Sequence, residues 1–153
     1  MHIIYASETG TAEDVAYTLY SYLLGLKQDD ANLSISNIAD YPFTECMPKE
    51  TVLLFIVATT GEGDVPTSMK PFWTFLLRKG LPVDCLSHLQ FSIMGLGDSG
   101  YEYFNSSARR LNVRFVVVVV VVVIIIIVVV VVIVVVVVVV VIVVVIVIVV
   151  VDK

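Results

Sequence analysis

Residues 3–16 read "IIYASETGTAEDVA", and this short stretch decides how the chain begins to fold. An apolar run stops at Ala6. Ser7, Thr9, Gly10 and Thr11 then arrive together, and Ala12, Val15, Ala16, Leu19, Tyr20 and Leu23 follow at helical spacing. The short run reads as a buried strand, and the spaced residues as one face of a helix. No Lys or Arg lies in the junction. A helix start presents unpaired N–H groups and a partial positive charge, so it can bind a phosphate without a cation. Hydroxyls on Ser7, Thr9 and Thr11 would complete the oxygen shell, and Gly10 would let the backbone come close. A monophosphate suits such a loop better than a triphosphate, because it needs less neutralisation. Simple helix capping by Thr9 or Thr11 is the plainer alternative.

Further along, "LSISNI" (33–38) alternates like a second strand and reaches a turn at "DYP" (40–42). "TVLLFIVA" (51–58) is continuously apolar and rich in β-branched residues, the pattern of a parallel strand covered on both faces. "TSMKPFWTFLLRKG" (67–80) predicts a helix, with Thr67 or Ser68 as cap, Pro71 in the first turn and Lys79-Gly80 as the stop. "LQFSIMGLG" (89–97) predicts a fourth strand and "FNSSARRLNVRF" (104–115) another helix. Strands and helices that alternate in this way build a doubly wound α/β parallel sheet, whose ligand lies beyond the carboxyl ends of the strands.

Two more loops leave such ends. "ATTGEGDVP" (58–66) places Gly61 and Gly63 around Glu62, with Asp64 next, and reads either as an ordinary glycine turn or as a loop whose peptide can flip. "GLGDSGYEYFN" (95–105) brings Tyr101, Tyr103 and Phe104 to the end of strand four. An aromatic there can stack on a flat heterocycle or belong to the core.

The composition is distorted by one segment. Of 153 residues, 59% are hydrophobic and the mean hydropathy is +1.01, yet from Val116 to Val151 every residue is Val or Ile. As a helix the run would be about 54 Å long against a hydrocarbon core of about 30 Å. Membrane spans also mix residue types and carry interfacial Trp, Tyr or Lys. As a strand it would be an aggregation template without gatekeepers. Val and Ile codons differ by one base, so a degraded triplet repeat translated through gives these two residues alone. We therefore expect residues 116–151 to be a non-native, low-complexity segment or an artefact of gene assignment, and no membrane association. Residues 1–115 are expected to form the folded domain, incomplete at its end.

The net charge is −5, and all acids except Asp152 precede the run. This excludes nucleic acid as an expected partner and permits docking to a basic protein. Cys46 and Cys85 form neither a ligand pair nor a disulfide framework, and "MHIIYASETG" lacks the form of a signal peptide. Both points predict a reducing, cytoplasmic location. His2 and His88 read as surface residues. No catalytic acid, nucleophile or metal-ligand set is expected.

In order and spacing, "SETGTAE", "ATTGEGD" and "GLGDSGYEYFN", with the helix "MKPFWTFLLRKGLP" (69–82), resemble the flavodoxin-like FMN domain of diflavin reductases. The cytosolic NADPH-dependent diflavin oxidoreductases are the most similar of these. The resemblance covers residues 2 to about 112. It implies a sheet of order 2-1-3-4 whose fifth strand is missing or replaced. Ser7, Glu8, Thr9, Gly10, Thr11 and Ala12 would hold the FMN phosphate. Ala58, Thr59, Thr60, Gly61, Glu62 and Gly63 would border the isoalloxazine, with the Gly61 carbonyl free to accept from N5–H of the singly reduced ring. Leu96, Gly97, Asp98, Tyr101, Phe104 and Asn105 would form the other wall, Tyr101 stacking and Asn105 supporting the loop. Such a domain passes single electrons from an FAD/NADPH reductase module to an acceptor, here by resemblance an iron–sulfur assembly protein. Glu62 and Asp64 would disfavour a second negative charge on the ring.

The chain departs from its relatives in three places. Thr60 stands where many place Tyr, and Gly100 where Ser is common. After residue 112 they continue into a fifth strand and an acidic loop. FAD- and NADPH-binding segments are absent from these residues, so the chain alone is not expected to oxidise NADPH. A non-functional truncated fragment and a stand-alone FMN module are the alternative readings. "GLGDSG" (95–100) fits a dinucleotide fingerprint in letters only, since it ends the fourth strand and no acid follows at the ribose distance. "GDSG" is shared with a serine-protease nucleophile loop, but the chain has only His2 and His88, read as surface residues, and no sandwich or barrel of strands.

Overall fold

Successive residues of the two central strands join opposite faces of the sheet and so divide the core between them. On β1 (His2–Ala6), Ile4 and Ala6 share one face with Leu53, Phe55 and Val57 of β3 (Val52–Ala58), while Ile3, Tyr5 and Ile56 join the other. Two covered faces account for the unbroken apolar run at 51–58. The computed structural model describes residues 1–26, 33–78, 86 and 88–151, with side-chain surroundings outside 117–126 and 141–151.

The sheet is parallel throughout, in the order β2-β1-β3-β4, with β2 at Ser34–Asn37 and β4 at Gln90–Leu96. This is the α/β doubly wound order expected from the sequence. Helix α1 (Thr11–Leu26) covers one face, burying Ala12 and Ala16 and leaning Val15, Leu19, Tyr20 and Leu23 against Ile3, Tyr5 and Ile56. Between β2 and β3 lie the short α2 (Phe43–Cys46) and a 3-10 turn (Met47–Lys49). A second 3-10 turn (Thr67–Met69), α3 (Lys70–Leu76) and the start of α4 (Ser106–Val151) cover the other face. They pack Met69, Phe72, Leu76, Leu111 and Phe115 around Phe55, and Phe115 lies 5.3 Å from Phe55 and 4.8 Å from Phe91 between ring centres.

Three expectations are corrected. The helix foreseen over 67–80 opens as a 3-10 turn after Pro66 and becomes α-helical only from Lys70; neither Thr67 nor Ser68 caps it with its own side chain. It ends where Arg114 donates from Nε and Nη2 to the Leu76 carbonyl at 2.8 and 2.6 Å, and Lys79-Gly80 lie outside the described residues. Cys46 is a free thiol; Cys85, like Lys79, lies outside the described residues. The segment foreseen as the helix 104–115 starts at Ser106 and continues as helix through the Val/Ile run. No Gly, Pro, Asn or Asp interrupts the run, so nothing ends a helix already nucleated, and the strand reading of the run is not realised. Among the described residues, strand β4 consequently has a neighbour only on its β3 side, and Met94 is 46% exposed on the α1 side.

Of the run, Val116 and residues 127–140 have described surroundings, and each side chain there is about half exposed. Among the residues whose side-chain surroundings are described, no helix is long and apolar enough to cross a membrane.

The third correction concerns His2, which is not a surface residue. Its Nε2 lies 2.7 Å from Ser36 Oγ and its Nδ1 3.4 Å from Glu50 Oε1, and its ring meets Tyr41 edge-on at 4.8 Å. Burial lowers its pKa below the usual imidazole value; Glu50 works against that shift and the N-terminal charge adds to it. The unfolded chain therefore binds the proton more readily. The neutral ring's contribution to stability is complete above the ordinary imidazole pKa of about 6.5 and is lost as pH falls through the depressed folded value. Urea unfolding followed from pH 7.5 to 5 should show stability falling towards acid, and His2→Gln should flatten that slope.

Candidate functional site

The carboxyl ends of β1, β3 and β4 lie side by side, because Ala6 pairs with Val57 and Ala58 with Leu96. The three loops singled out by sequence start from these ends. Ser7, Glu8, Thr9, Gly10 and Thr11 make the first, with Ala12 buried in the opening turn of α1. The Ser7 hydroxyl oxygen accepts from Gly10 N at 3.0 Å and Ala12 N at 3.2 Å, folding the loop over its own start. Gly10 takes φ 95°, closed to ordinary side chains, and a Cβ there would meet nothing within 4 Å. Thr9 and Thr11 hold their hydroxyls 3.4 Å apart on the exposed rim. Glu13 of the same turn accepts from the Tyr5 hydroxyl at 3.1 Å, and burial together with this carboxylate pushes the phenol pKa up to about 12.

Glu8 behaves differently from its neighbours. Its carboxylate accepts from the Thr67 backbone N at 2.8 Å and the Thr67 hydroxyl at 3.2 Å. The first loop thus supplies the acceptor at the opening of the 3-10 turn that leads into α3, and the Glu8 charge is spent there. The local sequence carries no sign of this pairing.

The second loop closes on itself as a tight bridge, with Thr60 N donating to the Asp64 carbonyl at 3.1 Å and Asp64 N to the Thr60 carbonyl at 2.8 Å. Its base continues the sheet ladder through Thr59 N and the Leu96 carbonyl at 3.0 Å. Gly63 is buried at φ 91°, where a Cβ would stand 2.8 Å from Tyr103 Cβ. Ser107, fully buried in the first turn of α4, donates from Oγ to the Asp64 carbonyl at 2.7 Å and from its backbone N to Thr59 Oγ1 at 3.4 Å. Ser107 and Tyr103 therefore lock the second and third loops together, roles that no motif in the sequence announced. Glu62 is exposed at the tip.

In the third loop Asp98 accepts from Gly100 N at 2.8 Å, a side-chain turn that presents Tyr101, 63% exposed. Arg109 donates to the Phe104 carbonyl. Asn105 adopts φ 53°, and its Oδ1 is buried with no partner against the backbone of Gly97. Thr59, Gly61, Gly97, Asp98, Tyr101, Tyr103 and Phe104 line an open cleft of about 240 Å³. A Cβ on Gly61 would meet only Asp64 Oδ2 at 4.0 Å, so the glycine leaves space on the cleft side. The cleft is flanked by three aromatic rings and begins one strand away from the cation-free first loop. A molecule joining a flat ring system to a phosphate fits this donor set.

Replacing Glu8 by Ala should remove about 1 kcal/mol of local stability and speed hydrogen exchange at the Thr67 amide about fivefold. Glu8→Gln, which keeps an acceptor, should retain most of the protection; equal exchange in both variants and the parent would show that the pairing carries no stability.

The Flavodoxin family profile matches residues 3–123, running into the Val/Ile segment. NADPH-dependent diflavin oxidoreductase 1 of Dictyostelium discoideum is 41% identical over 112 residues, covering 73% of this chain and 17% of that protein. The protein of the same name from Danio rerio is 38% identical over 114 residues, covering 74% and 18%. The chain thus spans less than a fifth of the length of these curated relatives. Among solved structures, a cysteine-to-alanine mutant of flavodoxin from Pseudomonas aeruginosa superposes with TM-score 0.59 at 28% identity, over 77% of this chain and 75% of that one. Flavodoxin of Streptococcus pneumoniae TIGR4 superposes with TM-score 0.62 at 21% identity over the same shares, a likeness of fold.

Proposed function

The chain belongs to the flavodoxin family, and on that premise we propose that it binds one FMN at the carboxyl edge of its sheet and passes single electrons. The observation that carries the reading is the convergence of an aromatic-flanked cleft and a hydroxyl-rich, cation-free loop at one end of three registered strands. Ser7, Thr9, Gly10, Thr11 and the N–H groups of the α1 start would hold the phosphate, with Glu8 turned away to Thr67 so that its charge does not oppose it. Tyr101, Tyr103 and Phe104 would shield the faces of the ring from water, and Gly61 would offer a carbonyl to a ring N–H. Ala58, Thr59, Thr60 and Gly63 would border the ring, while Leu96, Gly97 and Asn105 would back its other wall. When bound, FMN supplies one-electron redox chemistry. Glu62, Asp64 and Asp98 would put negative charge near the ring, which would oppose accumulation of further negative charge and so favour transfer in single steps.

Similarity to the diflavin oxidoreductases supports a finer reading. The electron donor would be an FAD/NADPH reductase module, the acceptor an iron–sulfur assembly protein and the location cytoplasmic. Residues 1–115 would be the flavin-binding unit and the Val/Ile run would lie outside it. The open edge of β4 and the exposure of Met94 favour a second reading, a truncated fragment of such an enzyme that holds FMN weakly.

The test is anaerobic mixing of the FMN-loaded chain with NADPH and the separately prepared FAD/NADPH portion of a diflavin oxidoreductase. The flavin absorbance of the chain should bleach only when that portion is present. Bleaching by NADPH alone, or none with the reductase portion added, would contradict the reading.

A further inference from the structure

A second groove lies on the face opposite α1, where α3 meets the first turns of α4. Trp73, Arg109, Arg110, Val113 and Arg114 line it, around a volume of about 420 Å³. Its charge runs against that of the whole chain. The net charge is −5, with 9 Lys and Arg against 14 Asp and Glu. Yet Lys70, Arg78, Arg109, Arg110 and Arg114 all fall in the two segments 66–78 and 105–116, which contain no Asp or Glu. No arginine of the groove is in an ion pair with a carboxylate among the described residues, where the one pair found joins His2 to Glu50.

Two of these cations are held by backbone carbonyls, Arg109 by that of Phe104 and Arg114 by that of Leu76. A carbonyl partner fixes a guanidinium in place without cancelling its charge, and so presents it ready for an anion. Arg110 is exposed, as is Val113 at 61%, and the indole of Trp73 is partly exposed on the α3 side. Arg110 and Arg114 are four positions apart and thus neighbours along the helix. An apolar floor between fixed cations asks for an apolar side chain between carboxylates. A long polyanion would meet the acidic remainder of the surface, whereas a short acidic segment spans the groove alone.

We propose that this α3–α4 face is a docking surface for an acidic polypeptide segment that seats an apolar side chain on Trp73 and Val113 and pairs its carboxylates with Arg110 and Arg114. The site does not require the flavin reading. Through Arg109 and the Phe104 carbonyl, however, it adjoins the cleft, so a partner docked there would sit beside the proposed point of electron exit. Overall acidity suggests docking to a basic protein; the distribution of charge gives this face the opposite preference.

Trp73 is the only tryptophan of the chain, so its fluorescence reads the groove directly. The full chain is titrated with a short synthetic peptide carrying a central Leu-Phe pair flanked by Glu and Asp, and with the same peptide bearing Gln and Asn instead. The acidic peptide should shift Trp73 emission saturably and bind several-fold more weakly at high salt. Arg110→Glu should weaken it at least about tenfold, Arg110→Lys far less, with the urea midpoint unchanged in both. Equal binding of the neutral peptide, or no effect of Arg110→Glu, overturns the proposal. So does tighter binding of an RNA oligonucleotide, of anionic phosphatidylserine vesicles or of a second copy of the chain.

Discussion

The parallel register of β1, β3 and β4 governs everything built at the end of the sheet. Ala6 opposite Val57 and Ala58 opposite Leu96 bring three chain exits to nearly the same height, one inter-strand spacing of about 4.8 Å apart. Slipping any of these strands by one residue would exchange its buried and opposite faces, taking Phe55 out of the aromatic cluster with Phe72 and Phe115. Burial on both faces therefore sets the register, and the register sets where the first, second and third loops meet. The core and the site are consequences of one pairing.

Given that register, a few long-range bonds fix the loops. Ser107 reaches back to Thr59 and Asp64, Gly63 admits Tyr103, and Glu8 crosses to Thr67. Each joins an exit loop to the element behind another exit. Among the described residues, the buried Oδ1 of Asn105 is the polar atom at the base of the cleft left without a donor. Strand β4 is the weak side of this arrangement, since α4 packs on its face yet leaves its outer edge open.

Much of this could be read from the sequence because it is periodic or local. The apolar run 51–58 marked the central strand, Ala12 to Leu23 marked α1, and hydroxyls and glycines marked the exits. What escaped the reading depends on partners far away in the chain. Thr67 seemed a helix cap by residue type, but the acceptor at that position comes from Glu8. His2 seemed exposed because a lone histidine near a terminus usually is, whereas Ser36, Glu50 and Tyr41 enclose it. The basic face around Arg110 was hidden by an acidic total. The Val/Ile run read as a non-native, low-complexity segment, and in the fold it continues α4 as helix.

The most direct measurement is a titration of the full chain with FMN, followed by quenching of flavin fluorescence and repeated in excess inorganic phosphate. The account predicts saturable quenching at one FMN per chain, weakened by phosphate because both compete for the Ser7–Thr11 loop. Absence of quenching from a chain whose circular dichroism shows the folded sheet and helices would contradict it.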